Sequence, residues 1–342
     1  RYSGTGIGGY AMAFENTELF DQIATDALKN YGWEDTDESK LIVLSENATY
    51  MVKNKETGEK DGVLRISRPG YHTLEELNSE MKWLNQINEY TPLIVANPIK
   101  GLNGEDIQVV KGNDGRNYYC VICEYLPGDP PDENNEAQMV KQFSYLGETT
   151  AYLHRQTEIW NGTAKLDRME WNYDTIIGDH AAWGRWQDFL DMTPKAQRML
   201  EEVAVIIKKR LQRYGKTENN YGLIHADLRL ANLLLEGDQI KVIDFDDCGF
   251  GWHLHDLASA LSFMEEKPIV PKLVNAWLDG YRKVLPFTDT DFEEIETFIM
   301  LRRLQLTAWL ASHKESGPVA ELSVGWMDGT IELAERYLRL FG

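Results

Sequence analysis

The stretch that decides the fold is Ile224-His225-Ala226-Asp227-Leu228-Arg229-Leu230-Ala231-Asn232, and it is followed by Ile243-Asp244-Phe245-Asp246-Asp247. Three side chains in it are suited to one kind of chemistry. Asp227 is a carboxylate that can orient or deprotonate an attacking hydroxyl group, while Asn232 and Asp244 offer oxygen ligands for Mg²⁺ on nucleotide phosphates. The pattern therefore indicates phosphoryl transfer.

The spacing between these residues predicts a hairpin. Residues 232–235 form a short apolar strand, 236–238 a turn, and 240–243 a returning strand. A hairpin of this length folds Asp244 back beside Asn232, so that both oxygen donors face one ion. Mg²⁺ suits such a place because it takes a few hard oxygen ligands and keeps its other positions for water and phosphate.

The segment from Tyr221 to Leu261 resembles the catalytic core of the aminoglycoside phosphotransferase and choline kinase-like superfamily, a branch of the protein-kinase-like fold. The resemblance implies transfer of the γ-phosphoryl group of ATP to a hydroxyl, with one or two Mg²⁺ ions. It implies that Asp227 is the catalytic base and that Asn232 and Asp244 are metal ligands. It also implies that Asp256 braces the catalytic loop 225–232 from behind, with His225 packed under it.

Composition and charge narrow the class of protein. The chain has 342 residues, of which 43% are hydrophobic and 26% charged, and a formal net charge of −20. This charge argues against nucleic acid as a partner, because phosphate backbones require Lys and Arg. No apolar run approaches the roughly 18 residues of a membrane span. Only three cysteines occur, and no apolar signal segment follows Arg1, so we expect buried thiols and a cytoplasmic location.

The order of patterns predicts an α+β protein of two lobes. A small, mainly antiparallel β lobe that binds nucleotide is expected over residues 1–125, with a leading helix at about 17–31. A larger, mainly helical lobe is expected over 126–342. It would carry the catalytic loop and the metal-binding segment 243–247, and the proline-rich loop 127–135 marks the boundary.

Two segments of the first lobe are candidates for nucleotide binding through the backbone. The loop 45–49 lies between two strands, and Ser45, Asn47 and Thr49 are its candidate residues, although a plain hairpin turn has the same pattern. The strand over 118–122 ends in a loop whose Glu124 and Leu126 occupy the place where a kinase offers backbone groups to adenine. We assign all five residues to the nucleotide.

A cation and a carboxylate are expected to form the ion pair that positions the nucleotide phosphates. Arg65 stands in the strand 62–67 where most kinases have Lys, and Arg68 is its nearest rival. Thr73 and Glu76 form a capping box at the start of the next helix. On that helix Glu80 flanks the apolar stripe and is predicted to pair with Arg65, a surface position being the alternative. Glu76 is expected to be solvated.

The acceptor is predicted to be small. Residues 245–255 are too few for a protein-kinase activation loop, and they contain no Ser, Thr or Tyr.

Arg229 either steadies the γ-phosphate or forms a salt bridge inside the loop. Candidate substrate-binding residues are Asp246, Asp247, Trp252, Arg302 and Trp309. For Arg302 and its neighbour Arg303, a solvated helix face is the favoured alternative, and the tryptophan-rich segment 160–186 either walls the acceptor site or packs in the core.

These observations together predict a small-molecule kinase that uses ATP and Mg²⁺ and phosphorylates a hydroxyl group. The acidic pair Asp246 and Asp247 favours an amine-bearing acceptor, such as an amino alcohol, a hydroxy amino acid of the homoserine or hydroxylysine type, or an aminoglycoside-like sugar. The alternatives are a compact bacterial Ser/Thr protein kinase and a catalytically silent nucleotide-binding module.

Overall fold

The computed structural model describes residues 17–44, 46–237, 239–314 and 317–342. The helices are α1 (Thr17–Lys29), α2 (Leu74–Tyr90), α3 (Glu136–Ile159), α4 (Tyr173–Ile176), α5 (Pro194–Tyr214), α6 (His253–Ala260), α7 (Val270–Tyr281), α8 (Asp289–Ser312), α9 (Gly317–Ser323) and α10 (Trp326–Phe341). The strands are β1 (Asp37–Leu44), β2 (Asn47–Asn54), β3 (Lys60–Ser67), β4 (Ile94–Val95), β5 (Pro98–Ile99), β6 (Gln108–Lys111), β7 (Asn117–Cys123), β8 (Glu170–Trp171), β9 (Tyr221–Ile224), β10 (Leu233–Glu236), β11 (Gln239–Val242) and β12 (Gly249–Trp252).

The chain divides into two compact units, neither of which is continuous in sequence. The first contains the described residues up to Pro130, together with Lys165–Arg168 and Leu233–Asp246. The second contains Pro131–Ala164, Met169–Asn232 and Asp247–Gly342. The predicted division after residue 125 placed the hairpin β10–β11 with the helical lobe. The hairpin belongs to the first unit because β11 pairs with β4 in a small parallel ladder.

The first unit is built on an antiparallel sheet of six strands. Its order is β1-β2-β3-β7-β5, and β6 also pairs with β7. Strand β3 alternates buried and half-buried side chains, as expected for a sheet with one face on a core, whereas β2 is buried from Asn47 to Val52 except at Thr49. Helix α1 covers that face with Ile23, Ala24, Ala27 and Leu28, which pack among Tyr50, Leu64, Ile66 and Ile122 of the sheet. Burial of this cluster fixes which residues of β2 and β3 point away from the core.

The second unit is mainly helical. Its small sheet has the order β8-β12-β9, and Gly249 of β12 pairs with Ile224 at the end of β9. Helices α3 and α7 pack closely because each has a glycine at the contact. A Cβ on Gly147 would lie 1.9 Å from the Trp277 carbonyl oxygen, and one on Gly280 would lie 1.8 Å from that of Ser144. Among the described residues, no helix combines the length and hydropathy needed to span a membrane.

The α+β class, with an antiparallel N-terminal sheet and a mainly helical remainder, is confirmed. The capping box of Thr73 and Glu76 is present at the start of α2. The hairpin is also present, but Asn232 lies in a 3₁₀ turn at 230–232, just before the strand. The predicted loop 45–49 is shorter than expected, since Asn47 and Thr49 already belong to β2, and Ser45 lies outside the described residues.

Candidate active site

The catalytic loop of the second unit leaves β9 through a strained residue. Ala226 has a φ of 71°, in the left-handed region that an alanine rarely adopts. Asp256 of α6 stabilises this conformation by accepting two backbone hydrogen bonds, from the N–H of Ala226 at 2.8 Å and from that of His225 at 3.4 Å. His225 is fully buried, and its Nδ1 accepts from the N–H of Asp227 at 3.2 Å. The loop is therefore held from behind by Asp256 and from within by His225.

A buried histidine completes the support of Asp256. Nε2 of His154, on α3, donates to Oδ2 of Asp256 at 2.7 Å, and Nδ1 accepts from the hydroxyl of Tyr281 at 2.8 Å. Burial lowers the pKa of His154 to about 3, so the ring is neutral and its single N–H points at the carboxylate. Burial also raises the pKa of Asp256. No sequence pattern predicted the role of His154, because it lies 102 residues before its partner Asp256 in the chain.

Asp227 is almost completely buried, and each carboxylate oxygen has a partner within the second unit. Oδ1 accepts from Nη2 of Arg302 at 3.0 Å and forms an ion pair with Nε of Arg229 at 3.2 Å. Oδ2 accepts from Nδ2 of Asn232 at 3.2 Å, and the backbone oxygen of Asp227 accepts from the same nitrogen at 2.8 Å. The salt bridge of Arg229 inside the loop is therefore present, and its role at the γ-phosphate stays a prediction.

The favoured alternative for Arg302 and Arg303, a solvated helix face, was wrong. Their exposed fractions are 1% and 0%, because α8 is buried on every side from Thr297 to Leu310. Arg302 donates to Ser262 at 2.9 Å and Gln305 at 3.0 Å as well as to Asp227. Burial lowers the pKa of Arg302, an effect that the negative charge of Asp227 opposes.

The amide oxygen of Asn232 fits the role of a metal ligand. Asn232 is fully buried, and its Nδ2 is committed to Asp227. Its Oδ1 has no hydrogen-bond partner among the described residues. Those residues contain no group of three or more His, Cys, Asp or Glu side chains arranged around one point. Mg²⁺ in kinases requires only one or two protein ligands, and the phosphates and water supply the others.

The first unit contains the predicted ion pair. Nη1 and Nη2 of Arg65, on β3, donate to the two carboxylate oxygens of Glu80, on α2, at 2.9 and 3.0 Å. Arg65 stands opposite Thr49 in the β2–β3 ladder. Its rival Arg68 forms a looser pair with Glu46 at 3.7 Å. Two parallel hydrogen bonds of this kind fix both the position and the orientation of the guanidinium.

Asp246 is held by three cationic side chains of the first unit. Its Oδ1 lies 3.2 Å from Nε2 of His72 and 3.8 Å from Nη1 of Arg65, and its backbone oxygen accepts from Nη2 of Arg168 at 2.7 Å. Burial acts to raise the pKa of Asp246, but the hydrogen bond and charge of His72, with the charges of Arg65 and Arg168, hold it well below its usual range. Nδ1 of His72 contacts Glu76, which is half-buried and not solvated as expected.

Four further residues were predicted to bind metal, nucleotide or substrate, namely Asp244, Leu126, Glu124 and Asp247. Asp244, in the first unit, has a φ of 60°, a second left-handed residue in the motif. Leu126 packs with Leu234 and Ile243 in an apolar cluster, and the N–H of Glu124 donates to the carbonyl of Asn97 at 2.9 Å. In the second unit, the backbone oxygen of Asp247 accepts from Nε1 of Trp171 at 2.8 Å.

Two predicted substrate residues are tryptophans of the second unit. Trp252 lies at the end of β12, where it pairs with Tyr221 of β9 and its indole donates to the carbonyl of Gly215 at 2.9 Å. Trp309 lies on α8, seven residues after Arg302, and is buried. The tryptophan-rich segment contributes Trp183, whose ring lies 5.0 Å from the guanidinium of Arg302.

Comparison with known proteins agrees with this fold. The model of the phosphotransferase enzyme family matches residues 43–293. A solved structure of a microcompartment-associated aminopropanol kinase is 35% identical, with a TM-score of 0.84, and the match covers 93% of this chain and 97% of that chain. Amicoumacin kinase of Bacillus subtilis (strain 168) is 25% identical over 252 residues, which are 73% of this chain and 70% of that protein.

A further solved structure, amicoumacin kinase hAmiN in complex with AMP-PNP, Ca²⁺ and Ami, has a TM-score of 0.71 at 20% identity. The match covers 93% of this chain and 94% of that chain, and it supports the fold. The fold is thus protein-kinase-like, as the motifs predicted, and the protein is a kinase that acts on a small molecule. The chain belongs to the phosphotransferase enzyme family.

Proposed function

We propose that this kinase uses ATP and Mg²⁺ to phosphorylate a hydroxyl group on a small, amine-bearing metabolite, with an amino alcohol as the first candidate. The observation that carries the transfer reaction is the buried Asp227, joined to Asn232 on a loop that Asp256 holds. The acceptor class is supported by the 35% identity to an aminopropanol kinase over 93% of the chain. Hydroxy amino acids and aminoglycoside-like sugars are the next candidates.

In the proposed reaction, Asp227 is the group that receives a proton. The oxygen of the acceptor hydroxyl forms a bond to the γ-phosphorus of ATP, and the bond between that phosphorus and the β–γ bridging oxygen breaks. Asp227 orients the hydroxyl and takes its proton, so the products are a phosphate monoester and ADP. We assign to Arg229 the stabilisation of negative charge that develops on the transferred group.

Binding of the nucleotide is assigned to the first unit. Arg65, oriented by Glu80, engages the α- and β-phosphates in place of the lysine usual in kinases. The backbone of residues 45–49 covers the phosphates, with Ser45, Asn47 and Thr49 as its contributors. The backbone at Glu124 and Leu126 receives the adenine, whose ring suits the apolar cluster of Leu126, Leu234 and Ile243.

Binding of one or two Mg²⁺ ions is assigned to Asn232 and Asp244. The free amide oxygen of Asn232 supports this assignment, and a carboxylate such as Asp244 is the usual second ligand. When bound, the metal would neutralise charge on the nucleotide phosphates. Asp246 is less suited to bind either a metal or an ammonium group, since His72, Arg65 and Arg168 already hold it.

The test is an assay of ADP release with Mg²⁺ and ATP over a panel of amino alcohols, hydroxy amino acids, aminoglycosides and sugars. We expect the fastest stimulated rate with an amino alcohol such as 1-aminopropan-2-ol or ethanolamine. In Asp227→Asn the rate should fall by at least ~100-fold, because the residue that takes the proton is gone. Binding of Mg²⁺–ATP should persist, since Asp227 is not assigned to the nucleotide.

Three outcomes would contradict the proposal in different ways. A rate that survives in Asp227→Asn would remove the base from the mechanism. Faster turnover of neutral polyols than of amines would remove the amine from the acceptor. A flat panel with intact ATP binding, together with phosphate incorporation into a generic protein substrate, would favour a protein kinase.

A further inference from the structure

Of the buried polar side-chain atoms of the second unit that have no hydrogen-bond partner among the described residues, three belong to α8 or to the loop before α7. They are Oε2 of Glu265, Nε2 of Gln305 and Nε1 of Trp309. The exposed fractions of these residues are 1%, 1% and 4%. Native proteins leave few buried polar groups unsatisfied, so each of these three atoms is a candidate contact for a group that the protein itself does not supply.

One guanidinium connects Gln305 to the catalytic loop. Arg302 donates through Nη1 to Oε1 of Gln305 at 3.0 Å and through Nη2 to Asp227 at 3.0 Å. Because Oε1 of Gln305 is committed in this way, its Nε2 is the group left free, and Gln305 and Asp227 share the same guanidinium as a partner. Trp309 is four residues further along α8 and therefore on the same face of the helix.

The loop that carries Glu265 lies along this face of α8. Nε of Arg302 donates to Ser262 at 2.9 Å, and the ring of Phe263 lies 6.0 Å from that of Trp309. Phe263 is half-buried and has a φ of 68°, a strained conformation for an aromatic residue. Strain of this kind persists where the surrounding structure imposes it, and it is commonest at ligand sites.

The charges near Glu265 leave one negative charge without a matching cation. Nη1 of Arg303 lies 3.3 Å from Oε1 of Glu265 and 2.8 Å from Oε2 of Glu266, so one guanidinium serves two carboxylates. Arg303 is otherwise occupied by Thr330 and the carbonyl of Trp326. Burial raises the pKa of Glu265 to about 7, and the positive charge of Arg303 opposes this shift.

We propose that Glu265 binds the ammonium group of the acceptor through its free Oε2, while Gln305 donates to the acceptor hydroxyl oxygen beside Asp227 and Trp309 walls the space between them. The assignment rests on the proposed function and makes it more specific. The acceptor is a short amino alcohol with a free ammonium group. A neutral diol of the same size leaves Glu265 buried and unpaired, and the enzyme discriminates against it on that ground.

The test compares kcat/KM for 1-aminopropan-2-ol with that for propane-1,2-diol, which replaces the amine by a hydroxyl. The wild type should prefer the amine, and Glu265→Gln, which keeps the shape and removes the charge, should lower kcat/KM for the amine by ~10–100-fold. The rate with the diol should not fall. Glu266→Gln is the matched control, since Glu266 shares Arg303 but is more exposed, and it should keep the preference.

Each result of this comparison decides a different question. Loss of the preference in Asp247→Asn and its retention in Glu265→Gln would transfer the ammonium site to Asp247 and overturn the assignment. A wild type that turns over no amino alcohol overturns both the acceptor class and this assignment. Gln305→Leu tests the assignment independently if Glu265→Gln does not fold. It should lower kcat for amine and diol alike, and an unchanged kcat would remove Gln305 from the site.

Discussion

Asp227 is the residue on which both proposals depend, and its surroundings in the second unit are unusual for a group that must accept a proton. Two guanidinium groups lie at Oδ1, and only one of them, that of Arg229, comes from the loop itself. Removal of one partner from a buried pair costs about 3–5 kcal/mol when the other stays charged. Arg302 therefore stabilises the ionised carboxylate, and the same side chain orients Gln305.

Arg65→Lys tests whether the bidentate pair positions the nucleotide. Lysine keeps the charge but not the planar fork, so it cannot hold both oxygens of Glu80 and still reach a phosphate. We expect kcat/KM for ATP to fall about tenfold, with little change in KM for the acceptor. Steady-state kinetics with each substrate varied in turn will measure this. Arg68→Lys is the control, and a larger loss there than in Arg65→Lys would exchange the roles of the two arginines.

Residue-scale prediction succeeded where partners are near in sequence and failed where they are distant. The contact of Asn232 with Asp227 is local, and that of Arg65 with Glu80 joins a strand to the helix that follows it. The contact of Arg302 with Asp227 spans 75 residues, and that of His72 with Asp246 spans 174. No periodicity encodes such pairs, because they arise from the packing of elements.

At the scale of elements, the contact between α3 and α7 has a direct effect on the catalytic loop. Helix α3 carries His154 and α7 carries Tyr281, and the hydrogen bond between them orients the imidazole that supports Asp256. The glycines Gly147 and Gly280 allow the two backbones to approach closely enough for this bond. A larger residue at either position would separate the helices.

Gly280→Ala is expected to lower the free energy of unfolding by about 3 kcal/mol or more, because the new methyl group meets the carbonyl of Ser144 and not a movable side chain. Asp279→Ala, at an exposed position one residue earlier on α7, should change stability by less than about 0.5 kcal/mol. Urea unfolding of both variants provides the measurement. Equal stability of the two would mean that the helices can shift at no cost.

The complete burial of α8 explains why the sequence pattern gave a wrong prediction for this helix. A half-exposed helix shows an apolar stripe, and polar residues outside the stripe predict a solvated face. In α8 the polar residues Arg302, Arg303, Gln305 and Thr307 are all buried and bonded within the second unit. Helix α2 keeps a clear stripe, and its start was predicted correctly from the capping box of Thr73 and Glu76.

For the whole molecule, buried histidines set the response of stability to acid. Burial lowers the pKa of His154 and of His255 from 6.5 to about 3. Between pH 6.5 and 3 the unfolded chain binds protons at these residues that the folded chain does not, so stability falls as the pH falls. Glu158 and Glu265 act in the opposite sense, because burial raises their pKa from 4.5 to about 7 and favours the folded state as the pH falls from 7.

His255→Leu isolates one of these contributions. The free energy of unfolding of the variant, relative to the wild type, should rise by up to about 1.4 kcal/mol for each pH unit below 6.5. Nε2 of His255 has no hydrogen-bond partner among the described residues, so leucine gives up only the hydrogen bond between the ring and the Ala226 backbone. Urea unfolding at pH 7, 6 and 5 gives the two curves. Parallel curves would show that His255 is protonated in the folded state.

The enclosure of α8 also bears on how proteins of this kind diverge. Every residue from Thr297 to Leu310 is buried, so nearly every substitution along this helix changes the packing of the second unit. In the proposed acceptor site, a change would also alter the acceptor at a few positions, which are Arg302, Gln305, Trp309 and the loop that carries Glu265. Selection for a new substrate therefore has few positions available. The residues at these positions in a related enzyme should predict which acceptor that enzyme uses.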